Sequence, residues 1–115
     1  MGETGGGQAA PDGVIEAQTV LGPMWVEEEA GVLTSSLLEE GIWDPITSRL
    51  MEVVLAPGMT FVDVGANIGY FTVLGSRLVG PAGRVFAVEP DPRNLSILQA
   101  NLDRFRCSNV TVRFL

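Results

Sequence analysis

The chain has 115 residues, 46% of them hydrophobic, with fourteen acids, seven arginines, no lysine and no histidine, for a net charge of −7. That length and apolar content suit one domain with a real core. No apolar run reaches the roughly 18 residues that cross a bilayer. The missing lysine excludes Schiff-base chemistry and a phosphate-loop lysine, and a lone cysteine, Cys107, without histidines makes neither an internal disulfide nor a zinc site.

The first stretch, residues 1–13, is rich in glycine and reads as a mobile tail with neither the basic nor the apolar region of a signal peptide; the expectation is a cytosolic protein. Residues 1–48 hold nine acids and no base, whereas 49–115 hold five acids and all seven arginines. Such an acidic half repels phosphate backbones and argues against a nucleic-acid partner. Residues 14–42 alternate short apolar runs (Val14 to Leu21, Met24 to Val26, Val32 to Leu38) with Gly, Pro and Glu, which predicts two or three short strands or a hairpin. The Glu27-Glu28-Glu29 cluster reads as a solvated strand end, not a metal site.

At Asp44-Pro45 the pattern changes. Asp44 can cap a helix and Pro45 suits its first turn. Ile46, Leu50, Val53 and Val54 share one helical face, and Pro57-Gly58 ends the run. A strand over 60–64 follows, then a helix over about 68–79 with Phe71, Gly75 and Leu78 facing inward. Gly80-Pro81-Ala82-Gly83 is a turn. A second strand spans 84–89, wholly apolar from Val85 to Val88, as in a sheet covered on both faces. Asp91-Pro92 starts a further helix, with Leu95, Leu98, Leu102 and Phe105 at helical spacing. A third strand covers 110–114. Strands alternating with helices predict an α/β fold with a parallel, Rossmann-like sheet whose second and third strands step outward from the first.

Two groups should meet at the carboxyl ends of adjacent strands. One is the turn Asp63-Val64-Gly65-Ala66-Asn67-Ile68-Gly69, where glycines permit a sharp bend and close approach of a ligand. The other is Glu89, an acid placed to accept two hydrogen bonds from a ribose diol. Together they define a nucleoside-containing ligand. The dinucleotide pattern G-x-G-x-x-G is absent, and Asp63 inside the turn would repel a pyrophosphate but attract an ammonium group. S-adenosylmethionine therefore fits better than NAD, and a nucleotide-dependent oxidoreductase fragment is the weaker alternative.

VDVGANIGYFT followed by VGPAGRVFAVEPDPRNLSILQANL resembles the S-adenosylmethionine-dependent methyltransferases of the FkbM family, and GIWDP and APGMTF are similar to the segment preceding that family's first motif. The resemblance covers about residues 20–115. It implies the class I methyltransferase fold, with a partial S-adenosylmethionine-binding domain over 43–115. It implies further that Asp63, Gly65, Ala66, Asn67 and Gly69 line the methionine part of the cofactor, that Glu89 binds the ribose hydroxyls and that Pro90 lies near the adenine. Tyr70 and Thr72 match motif positions and equally suit helix packing, while Trp25 and Trp43 read as packing anchors.

Asp44 stands where the family usually has Glu. The family's fourth strand, its acidic motif and the rest of its sheet have no counterpart after Leu115, so the expectation is the cofactor-binding half of the domain, truncated after its third strand. The resemblance implies methyl transfer to a hydroxyl of a small molecule such as a sugar or secondary metabolite; the composition and hydropathy separately lead to the expectation of no metal and no membrane partner. The residues neither assign a catalytic group nor an oligomeric state. The alternative is a truncated frame that binds the cofactor and catalyses nothing.

Overall fold

Two antiparallel strands come first in the computed structural model, which describes residues 10–29 and 31–115. Most of the tail expected over 1–13 lies outside those residues. Strand β1 (Val14–Thr19) pairs with β2 (Gly22–Glu27), with Ala17 opposite Met24 and Ile15 opposite Val26. Alternation turns Ala17, Met24 and Val26 inward, and the expected hairpin is present.

The third apolar run of this segment is not a strand. It forms helix α1 (Val32–Glu39). Thr34 and Leu37 are buried and Leu33 is half-buried; a helix gathers these three on one side, whereas a strand would send Leu33 and Thr34 to opposite faces.

Helix α2 (Pro45–Val54) starts where the sequence predicts. The Asp44 carboxylate accepts the Thr47 backbone N–H at 3.0 Å and the Thr47 hydroxyl at 2.7 Å. Those hydrogen bonds hold the Asp44 carboxyl below its ordinary range. The apolar face of α2 needs correcting, however. Ser48 and Met51 are buried, while Ile46, Leu50, Val53 and Val54 are exposed. The helix packs on its neighbour through the Ser48 and Met51 side, and nothing among the described residues covers the other.

The remaining elements are β3 (Thr60–Val64), α3 (Tyr70–Val79), β4 (Arg84–Val88), α4 (Pro92–Arg104) and β5 (Val110–Arg113). The three strands pair in parallel in the order β3-β4-β5, with Asp63 beside Ala87 and Ala87 beside Val112. This is the expected outward stepping from the first strand. Helix α3 starts two residues later than expected, because the turn after β3 extends through Gly69. Its inward side is broader than the sequence suggests: Tyr70, Val73, Leu74 and Val79 are buried, and Phe71 and Leu78 are half-buried.

The sheet is covered on one face only among the described residues. Val85 and Ala87 are fully buried, yet Val62, Val64 and Phe86 on the opposite face are exposed at 56%, 78% and 37%. The wholly apolar run of β4 anticipates cover on both faces, and the second cover is not supplied by any described element.

The core unites the hairpin with the α/β unit. Met24 and Val26 pack with Ile97, Leu98 and Leu102 of α4, Val73 of α3 and Ala87 of β4. Each of the larger aliphatic side chains here (Met, Val, Ile and Leu) contributes about 1.5–3 kcal/mol when fully buried. Ion pairs Arg93–Glu27 and Arg104–Glu16 and the stacking of Arg104 on Trp25 border this contact. They are partly exposed and add little.

Gly75 lets α3 approach the sheet. A β-carbon there would stand 2.4 Å from the Phe61 ring. Gly75→Val is therefore expected to lower stability by about 1–3 kcal/mol through overpacking, seen as a fall in Tm. Pairing it with Phe61→Ala should recover part of that loss relative to Phe61→Ala alone.

Candidate functional site

Five residues, Gly65–Gly69, connect β3 to α3. Three of them have positive φ: Gly65 at 76°, Asn67 at 57° and Gly69 at 101°. Glycine reaches this region without strain, and asparagine is among the few other residues that tolerate it. The two glycines serve different ends. A β-carbon at Gly69 would lie 2.6 Å from Leu98 Cδ1, so this residue permits packing of the turn on α4. A β-carbon at Gly65 would meet nothing within 4 Å, so this residue borders open space.

The turn is strapped to the end of β4. The Val88 carbonyl accepts the N–H groups of Gly65 at 2.8 Å and Ala66 at 3.0 Å. The next N–H, that of Asn67, donates to Glu89 Oε1 at 2.7 Å, while Glu89 Oε2 accepts the Asp91 N–H at 3.0 Å. Three successive donors of the turn are thus committed to β4 and the residue after it. Glu89 follows the last residue of β4 and is only 4% exposed. An ionised carboxylate offers about four acceptor positions, so two are used and two are left.

Asp63 lies under the turn, 9% exposed. Its Oδ2 accepts the hydroxyl of the fully buried Thr72 at 2.7 Å. Burial raises the Asp63 carboxyl above its ordinary range, the Thr72 hydrogen bond opposes that rise, and the charge of Glu89 adds to it. Two carboxylates therefore flank one turn, and no arginine or lysine forms an ion pair with either among the described residues.

Two cavities open beside the turn. One, of about 110 Å³, is lined by Gly65, Ala66, Asn67, Tyr70, Phe71, Leu33 and Trp43. The other, of about 420 Å³, shares Asn67, Leu33 and Trp43 and continues along Ile68, Asn94, Thr34 and the acids Glu27 and Glu29. The Tyr70 phenol is buried and its pKa is raised by that burial.

Of the residues expected at the site, Asp63, Gly65, Ala66, Asn67, Gly69 and Glu89 converge on this turn. Pro90 is exposed on the loop from β4 to α4, and Glu89 lines neither cavity. Trp43 and Leu33 line both cavities and were not expected there. Trp43 stands just before the Asp44-Pro45 helix start, outside any periodic run; a large aromatic in a loop is the signal that could have marked it.

Comparison with known proteins finds this geometry's sequence similar to methyltransferases. Residues 63–113 match the family described as Methyltransferase FkbM domain. Among curated proteins, a protein-L-isoaspartate O-methyltransferase of Methanothrix thermoacetophila is 38% identical over 58 residues, which are 50% of this chain and 28% of that protein. A cobalt-precorrin-6B C(15)-methyltransferase of Sulfolobus acidocaldarius is 36% identical over 55 residues, 48% of this chain and 29% of its own. Among solved structures, an S-adenosylmethionine-dependent methyltransferase from Aquifex aeolicus superposes with a TM-score of 0.57 at 30% identity, covering 70% of this chain and 41% of that one. The chain therefore spans 28–41% of the length of these relatives, and it has the class I methyltransferase fold over the part it shares.

The buried acid gives a stability prediction. With its pKa raised in the folded state, Asp63 keeps a proton where the unfolded chain has lost it. Its contribution to stability is full below the ordinary carboxylate value of about 4 and is lost as pH rises through the folded value. Asp63→Asn, which keeps an acceptor for Thr72, is expected to raise Tm at neutral pH by a few degrees, on the order of 1 kcal/mol. The gap between variant and parent should narrow toward about pH 4. Calorimetric melts across that range read the effect, and a lower Tm for the variant at neutral pH would contradict it.

Proposed function

We propose, from the match of residues 63–113 to the Methyltransferase FkbM domain, that the turn after β3 and Glu89 hold S-adenosylmethionine, for methyl transfer to a hydroxyl acceptor. The observation that carries the cofactor assignment is the commitment of the Gly65, Ala66 and Asn67 N–H groups to Val88 and Glu89. A dinucleotide site needs such donors for its pyrophosphate. A turn with three successive donors spent and two carboxylates beside it instead suits a ligand that brings donors and positive charge.

The fit is visible residue by residue. Gly65 leaves room where any side chain would intrude. Glu89 has two acceptor positions left for a ribose diol. Asp63 supplies negative charge for an ammonium group, in surroundings dry enough to strengthen the attraction. When bound, S-adenosylmethionine supplies a methyl group activated on a sulfonium. The protein's part in such a transfer is chiefly to hold donor and acceptor in line and to exclude water.

The acceptor reading rests on the family resemblance. The two curated relatives differ here, one described as acting on protein L-isoaspartate and the other on cobalt-precorrin-6B at C(15). A hydroxyl acceptor calls for a general base. Asp44 is occupied as a helix cap and Asp63 is held by Thr72, so no residue described here is assigned that role.

Titration calorimetry tests the reading. S-adenosylmethionine is expected to saturate the chain and NAD to give no heat; the reverse result would overturn it. Glu89→Gln keeps the side-chain shape but loses the charge, and should weaken binding by about 1–3 kcal/mol, roughly 5- to 150-fold in Kd.

A further inference from the structure

Asn101, in the interior of α4, is completely buried and uses its whole amide. Its Oδ1 accepts the Trp25 backbone N–H at 2.8 Å, and its Nδ2 donates to the Trp25 carbonyl at 3.0 Å and to the Ile68 carbonyl at 2.8 Å. On the β2 side it acts as a neighbouring strand would, satisfying both backbone groups of one residue. On the other side it grips the turn between Asn67, whose N–H is held by Glu89, and Gly69, which caps α3.

Helix propensity does not favour this residue. Asparagine is one of the poorer residues in a helix interior, since its amide competes for the backbone. A buried amide is costly unless its groups are bonded. Leu98 and Leu102 flank this position on the same buried side, and another leucine would continue the pattern. What distinguishes Asn101 is the pair of segments it joins: a hairpin at residues 14–27 and a turn some forty residues later.

We infer that Asn101 is a positioning residue for the cofactor turn. By fixing the Ile68 carbonyl it holds the left-handed backbone at Asn67, and it makes the N-terminal hairpin part of the support of a site whose family match begins only at residue 63. The inference rests on the reading of that turn as the S-adenosylmethionine site.

The test uses the full chain and three proteins: the parent, Asn101→Leu, and Val79→Ala as a control that trims a fully buried residue at the far end of α3. Affinity for S-adenosylhomocysteine is measured by calorimetry at a temperature where circular dichroism shows each protein folded. Asn101→Leu should raise Kd tenfold or more, whereas Val79→Ala, though less stable, should keep the parent Kd. A folded Asn101→Leu with parental affinity would overturn the inference.

Amide exchange without ligand isolates the tie itself. The Asn67 N–H should exchange at least tenfold faster in Asn101→Leu and at the parental rate in Val79→Ala; equal rates in all three would refute the tie. If Asn101→Leu does not fold, the parent decides. Its Asn101 side-chain amide resonances should shift on titration with S-adenosylhomocysteine at the same half-saturation as those of Gly65 and Asn67. Shifts confined to the turn would overturn the inference. A parent that binds no S-adenosylhomocysteine would sink the cofactor reading instead, leaving the exchange result to judge the tie.

Discussion

The hydrogen bond from the Asn67 N–H to Glu89 Oε1, with the two from Gly65 and Ala66 to the Val88 carbonyl, closes the carboxyl end of β3 onto that of β4. Parallel strands by themselves leave their ends apart, and a turn with three positive-φ residues has few internal bonds to hold it. Strapping it to the adjacent strand supplies what it lacks. The strap also sets the chemistry, because donors spent on protein acceptors are withheld from a ligand. A glycine-rich strand-to-helix turn can cradle phosphate or decline it, and the destination of its N–H groups decides which.

The second consequence is electrostatic. Asp63 and Glu89 are both nearly buried, and neither forms an ion pair among the described residues. Burial acts against the charged form of Asp63, and Thr72 offsets only part of that. Strain of this kind collects at sites that bind, since the missing compensation is what a ligand brings. A cationic group near Asp63 would relieve the burial of that charge, and a diol at Glu89 would fill its remaining acceptor positions.

The architecture leaves one side of the sheet open among the described residues. The face of the sheet covered by helices forms the core with the hairpin, and the opposite face keeps Val62, Val64 and Phe86 in contact with solvent. Helix α2 likewise turns Ile46, Leu50, Val53 and Val54 outward. Parallel strands are ordinarily apolar because both faces are covered, and these strands have that composition with one cover among the described residues.

The local elements were legible in the residues themselves. Asp44-Pro45 and Asp91-Pro92 mark helix starts because caps act within one turn, and both carboxylates accept backbone N–H groups as that chemistry requires. The glycine turn and Glu89 could be paired in advance because strand order follows from alternating elements. Other features could not be read so. The run from Val32 to Leu38 suits a strand or a helix, and only burial of Thr34 and Leu37 decided for the helix. The apolar stripe of α2 announced a buried face, but which side of a helix is buried depends on what stands beside it. Trp43 reached the cavities, and Asn101 the turn, through contacts between segments far apart in the chain. Sequence alone determined the pieces whose physics is local, namely caps, turns and periodicity. Tertiary structure decided which carbonyl each N–H met and which apolar faces found cover, because those depend on distances that no local pattern encodes.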